Sequence, residues 1–276
     1  MLYASYTDKG RVKKFNQDSA VTNKAATENG EILFSAVCDG MGGLNNGELA
    51  SAEVVMALQA WFENDLPLVM KGGLTPERLR KSLTRVIVEE DEKISQFSSM
   101  NGDCGTTLAG VFLCAGHYLC VNVGDSRVYR ISRGNPELLT HDQTVVQDML
   151  DNGKVKKEDL GFFMYDKPVV QQMISAGKLT PEQVRAYTMK NTLVQCIGVE
   201  GDVVPAFTTG TYEDGDLFLL CSDGFRHKLG EEEFPDFFPE KEMTGEKRMK
   251  KCCIRAVEEN IARGERDNIT VIVIRT

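Results

Sequence analysis

Three aspartates, Asp39, Asp125 and Asp223, sit at the ends of short apolar runs, and a fourth, Asp267, opens another. The runs are Ile32 to Cys38, Tyr118 to Gly124, Asp216 to Cys221 and Ile269 to Ile274. They are rich in β-branched and aliphatic residues and bounded by Gly, Asn and Asp, so they read as strands. If these strands share stacked sheets, the segments VCDGMGG (Val37 to Gly43), VGDSR, CSDGF and RDNIT bring their carboxylates to one rim. Carboxylates gathered that closely repel one another and raise one another's pKa unless a divalent cation neutralises them. The pattern therefore implies metal. An all-oxygen donor set selects Mg²⁺ or Mn²⁺ over zinc or copper, and only three histidines are present to build anything else.

Asp39 and Asp223 are each followed by glycine, Gly40 and Gly224. A residue without Cβ lets its carbonyl turn towards a cation and lets a substrate approach closely. One Asp-Gly is an ordinary turn signal. Four acidic motifs at strand ends are more than turn chemistry requires.

Two further runs, Thr106 to Cys114 and Arg127 to Ser132, also read as strands. Helical patterns cover Glu48 to Glu63, Pro76 to Phe97 after Thr75, and Glu246 to Arg263. Strands come in runs with long helices between the runs, which favours α+β with stacked sheets over a regularly alternating parallel sheet. Residues 145 to 190 are helical and polar, and they hold a repeat. VVQDMLDNGKVKKEDL from Val145 aligns without gaps with VVQQMISAGKLTPEQV from Val169, each copy reading as a helix stopped at glycine, Gly153 or Gly177, before a second helix start.

The 276 residues carry 32 Lys plus Arg against 41 Asp plus Glu, a net charge of −9. That balance, without a cationic run, argues against nucleic acid as a partner. No apolar run approaches the roughly 20 residues needed to span a bilayer and the N-terminus lacks an apolar leader, so no membrane and a cytoplasmic location are expected. Eight cysteines form no CxxC pair and lie mostly in apolar runs, where they read as small buried hydrophobes.

In order, GRVKKFNQD, CDGMGG, CGTTLAGV, VNVGDSRVYRI, LLTHDQT, NTLVQCIG, LFLLCSDG and RDNITVIVI resemble the successive motifs of the metal-dependent protein phosphatase type 2C family, in its bacterial form. The resemblance spans nearly the whole chain. It implies one catalytic domain over 1–276, with a central antiparallel β-sandwich flanked by helices on both faces and a helical flap, here enlarged by the repeat at about 145–190. It also implies hydrolysis of phosphoserine and phosphothreonine esters by a water bridging two metals, Mn²⁺ or Mg²⁺. By the same resemblance Asp39 bridges both ions, the Gly40 carbonyl binds the first, Asp223 and Asp267 bind the second, Asp18 holds metal-bound water, and Asp125 helps hold a third ion. The implied partners are phosphorylated proteins and an opposing Ser/Thr kinase, and a monomer is expected.

Besides Asp142-Gln143-Thr144 in place of the family's DHS, two positions depart from the family pattern. The phosphate-binding arginine of the first motif is Lys13, which keeps a positive charge but lacks the bidentate fork, with Arg11 and Lys14 nearby. The arginine of a later motif is Gln195. They leave a second reading, a phosphoprotein-binding module of the same fold with little turnover. The four acids Asp18, Asp39, Asp223 and Asp267 speak against it, because a binding module has no need of mutually repelling carboxylates.

Overall fold

The computed structural model describes residues 1–28, 30–42, 46–164, 167–199 and 201–276. Gly43, the last residue of the CDGMGG segment, lies outside them. The strands are β1 (Leu2–Asp8), β2 (Asp18–Thr27), β3 (Gly30–Gly42), β4 (Cys104–Thr106), β5 (Leu108–Cys114), β6 (His117–Val123), β7 (Arg127–Ser132), β8 (Asn135–Leu138), β9 (Ala206–Thr211), β10 (Leu217–Cys221) and β11 (Ile269–Arg275). The helices are α1 (Asn46–Ala60), α2 (Leu66–Lys71), α3 (Pro76–Asn101), α4 (Val145–Asp151), α5 (Lys167–Ser175), α6 (Pro181–Thr188), α7 (Asp223–Arg226), α8 (Phe234–Phe237) and α9 (Glu246–Ala262).

The strands form two antiparallel sheets, ordered β1-β11-β10-β7-β8 and β2-β3-β5-β6-β9, with β4 paired to the end of β3. Central strands are buried on both faces, which is why they read as continuous apolar runs rather than alternating ones. Leu33 and Val37 of β3 pack with Val111, Phe218, Leu220, Ile272 and Ile274 in the layer between the sheets. Phe34, Ala36 and Cys38 of the same strand join Val54, Leu58, Trp61, Leu83 and Ile87 under α1 and α3. On the other sheet Leu219, Cys221, Val271 and Val273 meet Cys252, Cys253, Ala256 and Val257 of α9. The result is a four-layer α-β-β-α sandwich, the α+β architecture expected.

Several boundaries differ from the sequence reading. The run from Thr106 to Cys114 is two strands, because Thr107 leaves the ladder to bond Asp39 through its N–H. The helix expected over Glu48 to Glu63 ends at Ala60 and continues as a wider turn over Trp61–Asp65. That turn seats Trp61 edge-on to Phe34, with its indole N–H donating to Ser82 Oγ at 2.8 Å. Strands β1, β2, β8 and β9 were not foreseen. All four are sheet edges of mixed polarity, β2 being DSAVTNKAAT, and β8 is only four residues long.

Residues Asp142–Gln195 form a second compact unit. Both copies of the repeat stop their first helix in the same way, Lys154 N–H bonding Met149 C=O and Lys178 N–H bonding Met173 C=O, with Gly153 and Gly177 at φ +64° and +63°. This is the left-handed helix stop that glycine adopts without strain. The second element differs between copies, a tight 3₁₀ stretch over Lys157–Met164 in one and α6 in the other, where Thr180 and Gln183 cap each other. Met149, Val155 and Ala186 make a small core of the unit's own.

Seven of the eight cysteines are buried and Cys196 is half-buried; all are free thiols. Among the described residues no helix is long and apolar enough to cross a membrane.

Candidate metal centre

The antiparallel register of β2 and β3 sets Asp18 opposite Asp39. Asp18 is buried, and its Oδ2 accepts hydrogen bonds from Ser222 Oγ at 2.8 Å and Thr270 Oγ1 at 2.6 Å, donors from the other sheet. Its Oδ1 is buried with no hydrogen-bond partner. Burial pushes the Asp18 pKa up to about 7, with Asp223 and Asp267 adding to the rise and the two hydroxyls opposing it. Asp39 is raised well above the usual carboxylate range, first by burial and then by Asp18, Asp223, Asp125 and Asp267. Its backbone is pinned: Asp39 N–H donates to Thr107 Oγ1, and Asp39 C=O accepts from Thr107 N–H and Thr106 Oγ1.

The next acids come from the ends of β10 and β11. Asp223 opens α7, and its Oδ1 is also buried without a hydrogen bond. Asp267 accepts at Oδ1 from Asn268 N–H at 2.8 Å and pairs there with Lys13 Nζ at 2.5 Å. Burial works to lower the Lys13 pKa, but the bond to Asp267 and the fields of Asp267, Asp39 and Asp223 together raise it. The loop carrying Lys13 is held by Asn268, whose Nδ2 donates to Lys9 C=O and Phe15 C=O and whose Oδ1 accepts from Gln17 N–H. Arg11 and Lys14 are exposed on the same loop.

Both Asp-Gly steps need glycine for a reason the sequence did not show. A Cβ on Gly40 would sit 2.1 Å from Gly47 O and 2.5 Å from Gln17 O, and one on Gly224 would sit 2.1 Å from Asn268 O. What approaches closely is the chain's own backbone, which locks α1 and the Asp267 loop against the rim.

Asp125, in the turn from β6 to β7, pairs with Arg226. Glu265 is buried and braces two of the acids: its Oε1 accepts from Arg266 and Asp267 N–H groups, and its Oε2 lies 3.4 Å from His227 Nδ1, whose Nε2 is 3.4 Å from Asp223 Oδ2. Burial works to lower the His227 pKa, but Glu265 and Asp223 outweigh it and the net shift is upward. The sequence reading missed Ser222, Thr270, Glu265, Arg226 and His227 as members of the site. Ser222 and Thr270 lie within the motifs CSDGF and RDNIT; the other three carry no sequence signal of their own.

The donor set fits hard divalent cations. Among the described residues no three of these side chains close into a finished cage; Lys13 and Asn268 hold Asp267, and Arg226 holds Asp125. Mg²⁺ and its like keep several waters and take one or two carboxylates apiece, so a closed protein cage is not required. Two buried carboxylate oxygens, on Asp18 and Asp223, have no hydrogen bond, and ions of this kind with their waters would satisfy them.

A four-layer sandwich with acidic oxygens collected at one end of its two sheets is the frame of a divalent-cation-dependent enzyme. Comparison with known proteins narrows this. The chain belongs to the protein phosphatase 2C family, a metal-dependent family whose model matches residues 8–251. It is 30% identical over 274 residues to a serine/threonine phosphatase, stp, of Listeria welshimeri, covering 97% of this chain and 93% of that protein. Among solved structures it is similar to the S. agalactiae serine/threonine phosphatase (TM-score 0.74, 26% identity, 98% of this chain and 97% of that one). It is also similar to the catalytic domain of the serine/threonine protein phosphatase PstP in complex with two manganese ions (TM-score 0.65, 25% identity, 98% and 96%).

Proposed function

We propose that this chain removes phosphate from phosphoserine and phosphothreonine in proteins by direct attack of water, with no phosphoenzyme. The observation that carries the reading is the pair of buried carboxylate oxygens without hydrogen bonds, Asp18 Oδ1 and Asp223 Oδ1, in a ring of acids where two sheets end. Asp39 and the Gly40 carbonyl would hold one ion, and Asp39, Asp223 and Asp267 the second, with Asp18 acting through water. Mn²⁺ or Mg²⁺ bound there supplies water of lowered pKa and positive charge for the phosphoryl oxygens.

The chain's own groups do the rest. Lys13 offers its ammonium to the substrate phosphate, held in reach by the Asn268 clamp on its loop. Ser222 and Thr270 fix the direction of the Asp18 carboxylate. The thiol that adjoins Asp39 in the chain is no nucleophile: Cys38 is buried, and burial followed by the charges of Asp18 and Asp39 pushes its pKa up, away from the thiolate a nucleophile needs.

The finer setting is part of the proposal. The enzyme works as a cytoplasmic monomer opposing a Ser/Thr kinase, and the unit Asp142–Gln195, which stands in chain order where the family carries its flap, selects the phosphoprotein. Removing residues 145–168 should then lower activity on a phosphoprotein far more than on a small aryl phosphate, and equal losses would refute that role.

The substrate class is tested with phosphothreonine, phosphoserine and phosphotyrosine peptides, each with Mn²⁺, Mg²⁺ or EDTA. Phosphate release from the first two, abolished by EDTA, is expected. Release from phosphotyrosine alone, or undiminished release in EDTA, would overturn the reading.

A further inference from the structure

Asp125 belongs to the ring of acids that raises Asp39, yet a side chain of this same protein already holds it. Arg226 Nη2 donates to Asp125 Oδ2 at 2.9 Å and to the Asp125 backbone carbonyl at 3.2 Å. The two side chains are only 18% and 16% exposed. A guanidinium stays charged at any pH a protein survives, and a charge-assisted bond shielded from water outlasts one on an open surface. The position of Arg226 is not accidental either. It closes the four-residue turn α7 that Asp223 opens, so one turn delivers a candidate metal ligand and a fixed positive charge to neighbouring points of the rim. Phe225, between them, is fully buried among Phe234 and Phe238 and anchors that turn in the core.

We infer that Arg226 is a built-in cation that takes the place of a third metal ion at Asp125, so that this chain binds two ions and neutralises the third acidic position with its own side chain. The inference rests on the reading of the rim as a cation site. It makes Arg226 a positioning residue: it holds Asp125, one of the acids whose charge acts on Asp39. Removing the guanidinium takes away the donor on Asp125 Oδ2 and returns negative charge to the ring of acids around Asp39, which an added ion can fill.

The test is Mn²⁺ binding stoichiometry by titration calorimetry, with Mn²⁺ electron paramagnetic resonance as a second readout, on the whole chain. The variants are Arg226→Met, Arg226→Lys, Asp125→Asn and the double variant Arg226→Met/Asp125→Asn. Wild type, Arg226→Lys and Asp125→Asn are expected to bind two ions. Arg226→Met is expected to bind a third, weaker ion that the double variant loses. If Arg226→Met still binds two, or if wild type binds three and Asp125→Asn removes one, the inference is overturned while the two-metal site stands. If wild type binds no Mn²⁺, the reading of the rim falls and takes the inference with it. Arg226→Lys keeps a cation in the turn and guards against a fold defect in Arg226→Met, which circular dichroism would expose.

Discussion

Asp18 and Asp39 are direct cross-strand partners at the end of the β2–β3 ladder, two carboxylates facing each other from adjacent strands. Like charges directly opposite destabilise an antiparallel pair by up to about 1 kcal/mol, and burial adds to that. The metal-free fold therefore carries a strain that cations relieve. Asp39→Asn should melt at or above metal-free wild type, by about 2–4 °C per kcal/mol recovered, yet gain far less than wild type from Mn²⁺. Wild type should gain several degrees with Mn²⁺. Differential scanning calorimetry with Mn²⁺ and with EDTA checks both statements.

The same pair fixes a pH dependence. Asp18, pushed up to about 7, and Asp39, also raised, bind their protons more tightly in the folded chain than in the unfolded one. Their contribution to metal-free stability is therefore fully present below the ordinary carboxylate range and is lost as pH rises towards and through about 7. Cations compete with those protons, so Mn²⁺ binding at pH 6 should release protons and should release fewer at pH 8. Calorimetry in two buffers of different ionisation enthalpy measures the number released at each pH.

Lys13 and Asp267 make the contact that links the Lys13 loop to the acids. The pair is about 40% exposed on each side, so its loss should change stability by no more than roughly 0.5–1 kcal/mol. Its loss should matter for substrate. Lys13→Ala is expected to raise KM for a phosphothreonine peptide by about tenfold with a smaller effect on kcat, and Lys13→Arg to restore or improve it through bidentate phosphate contact. Steady-state kinetics on the three proteins separate the two parameters.

Glu265 reaches the candidate ion ligands through Asp267 N–H and through His227. Side chains that orient metal ligands typically matter by 10–100-fold in affinity. Glu265→Gln should weaken Mn²⁺ binding by about that factor while leaving two sites, measured by calorimetry. Unchanged affinity would show that His227 and the Asp267 loop hold themselves.

Much of this arrangement is legible in the chain because apolar runs ending in acids survive any reading: Asp39, Asp223 and Asp267 are visible as soon as the strands are. Asp18 is different. It opens β2, an edge strand whose DSAVTNKAAT sequence has no clear alternation, so nothing local marks it as a sheet-end acid and only the family resemblance named it. Its partners Ser222 and Thr270 lie 204 and 252 residues away, and their role exists only once two sheets stack. Gly40 and Gly224 were visible as glycines, but one reason for them was not, since the backbone atoms that exclude a Cβ come from Gly47, Gln17 and Asn268. Arg226 and Glu265 show the limit most clearly, as ordinary charged residues of loop and turn whose effect comes from where the fold sends them.

The most direct measurement is phosphate release from a phosphothreonine peptide by wild type and Asp39→Asn, each stripped with EDTA and then titrated with Mn²⁺ while binding is followed by calorimetry. Wild-type turnover should be absent in EDTA and rise with occupancy of the acidic rim, and Asp39→Asn should bind weakly and turn over about 100-fold more slowly or worse. Turnover by the stripped wild type, or by Asp39→Asn at the wild-type rate, would contradict the account.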